Sequence, residues 1–173
     1  MIQLDDYFKP AEMVPVFEGF ENWDDPEALY LDRLAKDLED LSKGNAIEAM
    51  TKNAFRNPDY KITQKRILSV FEPKAIMLVE GFLCLYDSKI RNYFSHSIWL
   101  EIDHEKGWGR RSHFKNDEYY EKVFKPMYAK YVAPTKRYSN FILDVSSLSQ
   151  DDVSSKVLEL LGIESCLMGK NGA

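Results

Sequence analysis

The alternation of short apolar runs with stretches of helical period is the feature of this sequence that most restricts its fold. Three runs of strand length cover residues 75–79, 97–102 and 140–144. Near-continuous apolar runs are typical of strands that are buried on both faces. Because strands separated by helices favour a parallel sheet covered by helices, we predict an α/β protein. A chain of 173 residues, 45% of them hydrophobic, is long enough to bury the core of one such domain.

A first helix is predicted over residues 26–42. Asp25 is suited to the N-cap position, a proline follows at the first helical position, and Gly44 is placed to end the helix. The apolar stripe of this helix repeats at spacings of three and four residues and consists of Leu31, Leu34, Leu38 and Leu41. The next stretch, 45–65, is the least regular part of the chain, and we expect a polar excursion there.

Two further helices are predicted in the second half of the chain. One covers residues 151–161, where Ser149 and Asp152 have the spacing of a capping box. The other covers roughly 118–132 and is aromatic and basic. It contains Pro126, which removes a backbone donor, so we expect this helix to be kinked or split there.

Charge and hydropathy exclude several classes of protein. The chain has 23 basic and 28 acidic residues and a net charge of −5, which argues against a nucleic-acid partner. The N-terminal residues show neither the basic region nor the apolar run of a signal peptide. No apolar run reaches the length of about 18 residues that a membrane span requires. We therefore expect a soluble, cytoplasmic protein without a membrane partner.

Cysteines and histidines give no sign of a disulfide framework or a metal centre. The two cysteines are Cys84, which lies in an apolar run, and Cys166. Cys84 is expected to be a buried, reduced thiol. The three histidines, His96, His104 and His113, show no pairing at i,i+4 and have no cysteine partners in sequence, so no zinc site is predicted.

Carboxylates follow two of the expected strands. Asp5 and Asp6 come directly after the short apolar start of the chain, and Glu80 follows the run 75–79. In open α/β sheets, ligands bind beyond the carboxyl ends of the strands, where a carboxylate can orient the waters of a metal or accept a proton from an attacking hydroxyl. Gly81 permits a sharp turn beside Glu80. The alternatives are a solvated turn at Asp5 and an exposed strand end at Glu80.

A basic cluster follows the run 97–102 and ends in Arg110 and Arg111. Guanidinium groups bind phosphate in a bidentate manner, so a mobile segment of this kind can close over phosphates. The alternative is a solvated basic loop.

Six short motifs follow one another along the chain, at residues 5–10, 22–29, 79–82, 110–112, 123–128 and 134–138. In this order they resemble the uridine kinase and phosphoribulokinase family of P-loop kinases. Residues 5–10 and 126–131 are especially similar to nicotinamide riboside kinases, whereas 22–26 and 134–138 are closer to uridine kinases. The resemblance covers about residues 2–161, and we expect the tail 165–173 to be flexible.

The resemblance implies a role for each matched carboxylate. Asp5 matches the aspartate that acts on the substrate hydroxyl and contributes to the Mg²⁺ shell. Asp24 matches the carboxylate that binds the ribose hydroxyls of a nucleoside. Glu80 matches the acidic residue of Walker B type near Mg²⁺, so Asp5 and Glu80 are the expected catalytic and metal-shell residues.

The resemblance also implies contacts with phosphates and with the nucleoside. Arg110 and Arg111 fall in the family's lid, here about residues 104–125, which closes over the phosphates of ATP. The residues expected to line the nucleoside site are Tyr7, Phe8 and Lys9, although the aromatic pair has an ordinary alternative as core residues.

One family motif is not found in these 173 residues. The phosphate-binding loop Gly-x-x-x-x-Gly-Lys-Ser/Thr, which precedes the matched aspartate in the family, is not formed by any of the eight glycines. We therefore expect a three-layer fold of P-loop NTPase type with a parallel sheet that lacks its first strand, its phosphate loop and its first helix. The absent strand would lie between the runs 75–79 and 97–102, a gap of roughly 10 Å. Either the sheet pairs differently, or the sequence is a piece of a longer protein.

Two smaller departures concern specificity and the lid. The region 48–55 lacks the Tyr-Asp-Phe segment and the histidine with which uridine kinases bind the uracil base. Gly107 and Gly109 lie where the family's lid is helical, and each glycine costs a helix about 1 kcal/mol relative to alanine. The lid is therefore expected to be a loop, or a helix that starts later.

The sequence as a whole predicts a relative of the ATP-dependent nucleoside kinases that uses ATP and Mg²⁺ to phosphorylate a ribose 5′-hydroxyl, with uridine slightly ahead of nicotinamide riboside as substrate. Without the phosphate loop, the chain alone is expected to be inactive, and either poorly stable or a homo-oligomer. The alternatives are a nicotinamide riboside kinase-like enzyme and a non-catalytic protein that retains the nucleoside-binding half.

Overall fold

The computed structural model describes residues 1–110 and 116–163. The chain divides into two compact units. The first consists of Met1–Phe94 and Asp117–Thr135, and the second of Ser95–Asn116 and Lys136–Ala173. Among the described residues, no helix is both long and apolar enough to cross a membrane.

The strands of the described residues form pairs. In chain order they are β1 (Ile2–Gln3), β2 (Val16–Phe17), β3 (Phe20–Glu21), β4 (Ile47–Thr51), β5 (Ile67–Phe71), β6 (Val79–Glu80), β7 (Ile98–Glu101) and β8 (Phe141–Asp144). The pairs β1–β6 and β7–β8 are parallel, whereas β2–β3 and β4–β5 are antiparallel. The predicted α/β class with parallel strand pairing is therefore confirmed.

The helices of the described residues are mostly short. They are α1 (Leu31–Ser42), α2 (Tyr60–Thr63), α3 (Ser88–Arg91), α4 (His104–Arg110), α5 (Asp117–Tyr119), α6 (Lys125–Met127) and α7 (Gln150–Leu160). Side chains from α1, α3 and the segments beside β1 and β6 contribute to the core of the first unit. Its largest fully buried apolar side chains are Leu4, Leu34, Leu83, Ile90 and Val123.

The prediction that the apolar runs are buried on both faces is wrong. Ile76 and Leu78 are 67% and 53% exposed, and the strand itself is only the two residues of β6. In the other parallel pair, Leu100 and Ile142 are 49% and 53% exposed. Burial requires neighbours on each face and at each edge of a strand. Among the described residues, each of these strands has one hydrogen-bonded partner strand.

The helix predicted over 26–42 begins later than expected. Asp25 does act as a cap, since its carboxylate accepts a hydrogen bond from the backbone of Glu27, but it caps a short 3₁₀ turn, Pro26–Ala28. Leu29 is extended and bridges to Phe8, so α1 starts only at Leu31. Backbone pairing with the segment after β1 has overridden the local helical pattern.

The stretch predicted to be a polar excursion contains a regular strand. β4 pairs with β5 as a β-hairpin, and Ile47, Ala49 and Thr51 point inward while Glu48 and Met50 are exposed. The hydropathy pattern follows this alternation only in part, since the apolar Met50 is exposed and the polar Thr51 is buried, and the sequence therefore shows no clear strand signal.

The helical segment around Pro126 is not split there, because helical residues run without a break from 117 to 138, but the helix changes type along its length. Two π-helical stretches, Tyr120–Phe124 and Tyr128–Val132, flank the short α6. The wider π-helical turns accommodate Pro126, which has no backbone N–H to donate. The helix predicted at 151–161 is confirmed as α7, including the capping box between Ser149 and Asp152.

The expectation that Gly107 and Gly109 keep the start of the lid segment from being helical is wrong. Both lie within α4. The carboxylate of Asp103 accepts hydrogen bonds from the amides of Glu105 and Lys106, each of 3.1 Å, and this cap offsets part of the cost of the glycines. The predicted tail 165–173 lies outside the described residues.

Candidate active site

The turn that carries Asp5 and Asp6 directly follows β1. Leu4–Tyr7 form a 3₁₀ turn, and Leu4 is completely buried. A Cβ atom on Gly81 would lie 2.2 Å from the Cβ of Leu4, and Gly81 has φ +150°. Only glycine permits this approach, so Gly81 brings the turn after β1 and the end of β6 together.

Asp5 and Glu80 lie at the carboxyl ends of these two paired strands. In the β1–β6 register, Gln3 is opposite Glu80. Partial withdrawal of its carboxylate from water raises the pKa of Glu80, the negative charge of Asp5 raises it further, and a hydrogen bond from the Gln3 side chain opposes the shift. The two carboxylates that the sequence singled out are thus within electrostatic reach of each other.

Lys52 is the first of three site residues that the sequence did not indicate. It follows β4, and its ammonium lies 2.8 Å from Oδ2 of Asp5. The two residues are 47 positions apart in the chain, so no local sequence pattern predicts their contact.

Arg66 is the second. Its guanidinium donates to the backbone oxygens of Asp5 and Asp6, at 2.9 and 2.8 Å. Asp6 in turn accepts hydrogen bonds from the Thr51 hydroxyl (2.6 Å) and the Lys52 amide (3.0 Å). Asp6 therefore fastens the β-hairpin to the turn that carries Asp5.

Asp24 is buried, with 8% of its surface exposed. Its partner Tyr119 is the third site residue that the sequence did not indicate. The Tyr119 hydroxyl donates a hydrogen bond of 2.6 Å to Oδ2 of Asp24. Nearby in sequence, Asn22 is 1% exposed, and its Oδ1 has no hydrogen-bond partner within the described part of the chain.

Phe8, Trp23 and Phe82 form an aromatic cluster. The ring of Phe8 contacts Trp23 edge-on at 5.5 Å and stacks at 6.4 Å with Phe82. Tyr7, by contrast, is 3% exposed and donates its hydroxyl to Asp37 at 2.8 Å. Burial and the charge of Asp37 raise the pKa of Tyr7. The structure thus places Tyr7 in the core and Phe8 in the cluster.

Lys9 lies in an open groove of about 460 Å³. Its ammonium is 5.6 Å from the centre of the Tyr30 ring. Arg33, Tyr86 and Asp87 also line this groove.

Arg110, one of the two predicted lid residues, belongs to the second unit. Arg110 ends α4, and its guanidinium donates to the backbone oxygens of Val145 (3.2 Å) and Ser146 (2.9 Å). Arg111 lies outside the described residues.

The donor set at the strand ends suits a hard divalent cation. Asp5 and Glu80 supply carboxylate oxygens, and Mg²⁺ is commonly held by one or two carboxylates together with waters and substrate phosphates. The described residues contain no group of three or more histidine, cysteine or acidic side chains that could hold a metal by themselves.

Parallel strand pairing with carboxylates at the carboxyl ends of β1 and β6 is consistent with an α/β protein of P-loop NTPase type. The comparison with protein families agrees, because the model of the phosphoribulokinase / uridine kinase family matches residues 5–154. The chain belongs to this family.

Curated relatives carry the name uridine kinase. The protein of Leuconostoc citreum is 29% identical over 154 residues, which are 83% of this chain and 71% of the relative. The protein of Halalkalibacterium halodurans is 30% identical over the same shares of the two chains. The protein of Brevibacillus brevis is 27% identical over 93% of this chain and 79% of the relative. The family and these names indicate a kinase.

Proposed function

We propose that this chain carries the acceptor side of a nucleoside kinase, in which the γ-phosphoryl group of ATP passes to the 5′-hydroxyl of a ribose. The observation that supports this most directly is the placement of Asp5 at the end of β1, beside Glu80 on the paired strand. Membership of a kinase family supports a role for these two carboxylates in phosphoryl transfer.

Asp5 is the proposed general base. A carboxylate at this position can accept the proton of the attacking hydroxyl and orient that hydroxyl toward the phosphoryl group. Asp5 and Glu80 would hold Mg²⁺, directly or through water. When bound, Mg²⁺ neutralises charge on the phosphates.

Asp24 is the proposed ribose ligand, since a carboxylate can accept hydrogen bonds from both hydroxyls of a vicinal diol. Its low exposure and its bond to Tyr119 mean that a bound ribose shares the carboxylate with the phenol. Phe8, Trp23 and Phe82 are proposed to form an apolar wall for the base. A wall of this kind accepts uridine and nicotinamide riboside alike.

A second candidate is a nucleoside-binding protein without turnover. It is favoured by one sequence observation, namely that residues 1–173 contain no Gly-x-x-x-x-Gly-Lys-Ser/Thr segment to bind ATP phosphates. Both candidates share the nucleoside site, so nucleoside binding is the property to measure first.

The test is calorimetric titration of the chain with uridine and with nicotinamide riboside. Asp24→Asn is expected to weaken binding at least tenfold, because hydrogen bonds to a charged group contribute about 1.5–3 kcal/mol each. The matched control is Asp59→Asn. Asp59 is an exposed residue between β4 and β5, and its side chain forms no capping hydrogen bond with α2. Equal affinity of Asp24→Asn and the unaltered chain would refute the proposed ribose site.

A further inference from the structure

The ion pair between Lys52 and Asp5 places a cation of the protein at a carboxylate proposed to bind Mg²⁺. Nζ of Lys52 lies 2.8 Å from Oδ2 of Asp5. The side chains are 29% and 45% exposed, so water and dissolved ions reach both.

The other polar groups around Asp5 have different partners. The carboxylate of Asp6 accepts from Thr51 and from the amide of Lys52. Arg66 directs its guanidinium at two backbone oxygens. Among the described residues, Lys52 is therefore the side chain that forms an ion pair with the carboxylate of Asp5, while its own backbone amide donates to Asp6.

We propose that Lys52 is a tethered counter-ion that pairs with Asp5 in the metal-free protein and competes with a divalent cation for that carboxylate. This inference rests on the magnesium site of the proposed function. Mg²⁺ requires near-octahedral oxygen ligands at 2.0–2.1 Å. Oδ2 of Asp5 accepts a hydrogen bond from the Lys52 ammonium, so its lone pair is not available to a metal ion. The Lys52 side chain must therefore move away when a metal binds to this oxygen.

Competition acts in both directions. If the ammonium lowers the affinity for Mg²⁺, then Mg²⁺ lowers the occupancy of the ion pair by the same factor. The amide of Lys52 remains bonded to Asp6, so the expected change is confined to the side chain and leaves the backbone of the β-hairpin anchored.

The first measurement is calorimetric titration with MgCl₂ at 0.15 M salt. Lys52→Met is expected to bind Mg²⁺ at least fivefold more tightly than the unaltered chain. Lys61→Met, which removes the same charge from an exposed position of the same β-hairpin, is expected to stay within twofold, because the described residues show an ion pair of Asp5 with Lys52 and none with Lys61. Lys52→Arg keeps the cation and is expected to show no gain.

The second measurement uses the unaltered chain and does not depend on the folding of a variant. Acetylation of lysines, read by mass spectrometry, is expected to increase at Lys52 when MgCl₂ replaces NaCl at equal ionic strength, and to stay constant at Lys61. Unchanged acetylation of Lys52, or Mg²⁺ affinity that Lys52→Met does not raise, would overturn the proposal. Titration with nucleoside in the absence of metal tests Asp24 separately, so the proposed function and this inference can fail independently.

Discussion

The hydroxyl of Tyr119 lies 2.6 Å from Oδ2 of Asp24, across 95 positions of the chain. This hydrogen bond ties the helical segment at α5 to the residue proposed to bind ribose. It is buried, so the phenol satisfies a carboxylate that has little access to water.

Tyr119→Phe removes this hydrogen bond and keeps the ring. The free energy of unfolding is expected to fall by about 1.5–3 kcal/mol, the usual range for a hydrogen bond to a charged group. Tyr30→Phe is the control, because the Tyr30 hydroxyl has only a 3.5 Å contact with the sulfur of Met13 and is exposed. Its loss is expected to cost less than about 0.5 kcal/mol. Urea denaturation of both variants measures the difference, and equal stabilities would contradict the role given to Tyr119.

Gly81→Ala is expected to disrupt the site, since the new Cβ would meet Leu4 at 2.2 Å and the backbone has φ +150°. The loss of unfolding free energy is expected to exceed about 3 kcal/mol, because both overpacking and backbone strain contribute. Gly109→Ala is the matched control, with no atom within 4 Å of the new Cβ and a helical position. That change is expected to stabilise the chain by about 0.5–1 kcal/mol. Thermal unfolding followed by circular dichroism distinguishes the two, and similar melting temperatures would show that the contact with Leu4 relaxes easily.

Cys84 is expected to resist alkylation. It is 6% exposed, and burial, with smaller contributions from the charges of Glu80 and Asp5, raises the pKa of its thiol to about 12. The raised pKa means that the folded state holds the thiol in its neutral form. Burial of this thiol therefore contributes fully to the free energy of unfolding below the unfolded-state pKa of about 8.5, and the contribution is lost as the pH rises from there toward the folded-state pKa of about 12.

Labelling with iodoacetamide at pH 8 measures this property. In a Cys166→Ser background, Cys84 is expected to react at least a hundredfold more slowly in the native chain than in 6 M urea, because only the thiolate is nucleophilic. Comparable rates in the two conditions would mean that the thiol is accessible in the native protein.

Residues 1–173 are expected to show no ATP-dependent phosphorylation of uridine or nicotinamide riboside. The phosphate loop that this sequence does not contain supplies backbone donors and a lysine to the transferring group, and single donors of this kind are worth about 2.7–4 kcal/mol in acyl transfer. Transfer of radiolabelled phosphate is the measurement, with one of the bacterial uridine kinase relatives as positive control. Turnover approaching that of the control would refute this prediction.

Asp5→Asn separates catalysis from binding. When a phosphate-loop segment is fused ahead of residue 1, this substitution is expected to abolish kcat while nucleoside affinity stays within about twofold, because asparagine keeps the shape but cannot accept the proton. Steady-state kinetics test this, with Asp59→Asn as the control that keeps full activity. An unchanged kcat in Asp5→Asn would shift the role of general base to Glu80.

The elements with strong local signals could be predicted from the sequence. The cap at Asp25, the capping box at Ser149 and the strand before Asp5 each follow from the chemistry of a few adjacent residues. The motif order also led to the family that the family comparison identified.

The partners of the site residues were decided only by the tertiary structure. Lys52, Arg66 and Tyr119 lie 47, 60 or more, and 95 positions from the residues they contact. The placement of Lys52 and Arg66 depends on the pairing register of β4 and β5, and the placement of Asp5 on the close approach of Gly81 to Leu4; neither has a local period in the sequence. A sequence pattern records which face of an element is apolar, whereas a contact between two polar side chains requires the distances and directions that only packing fixes.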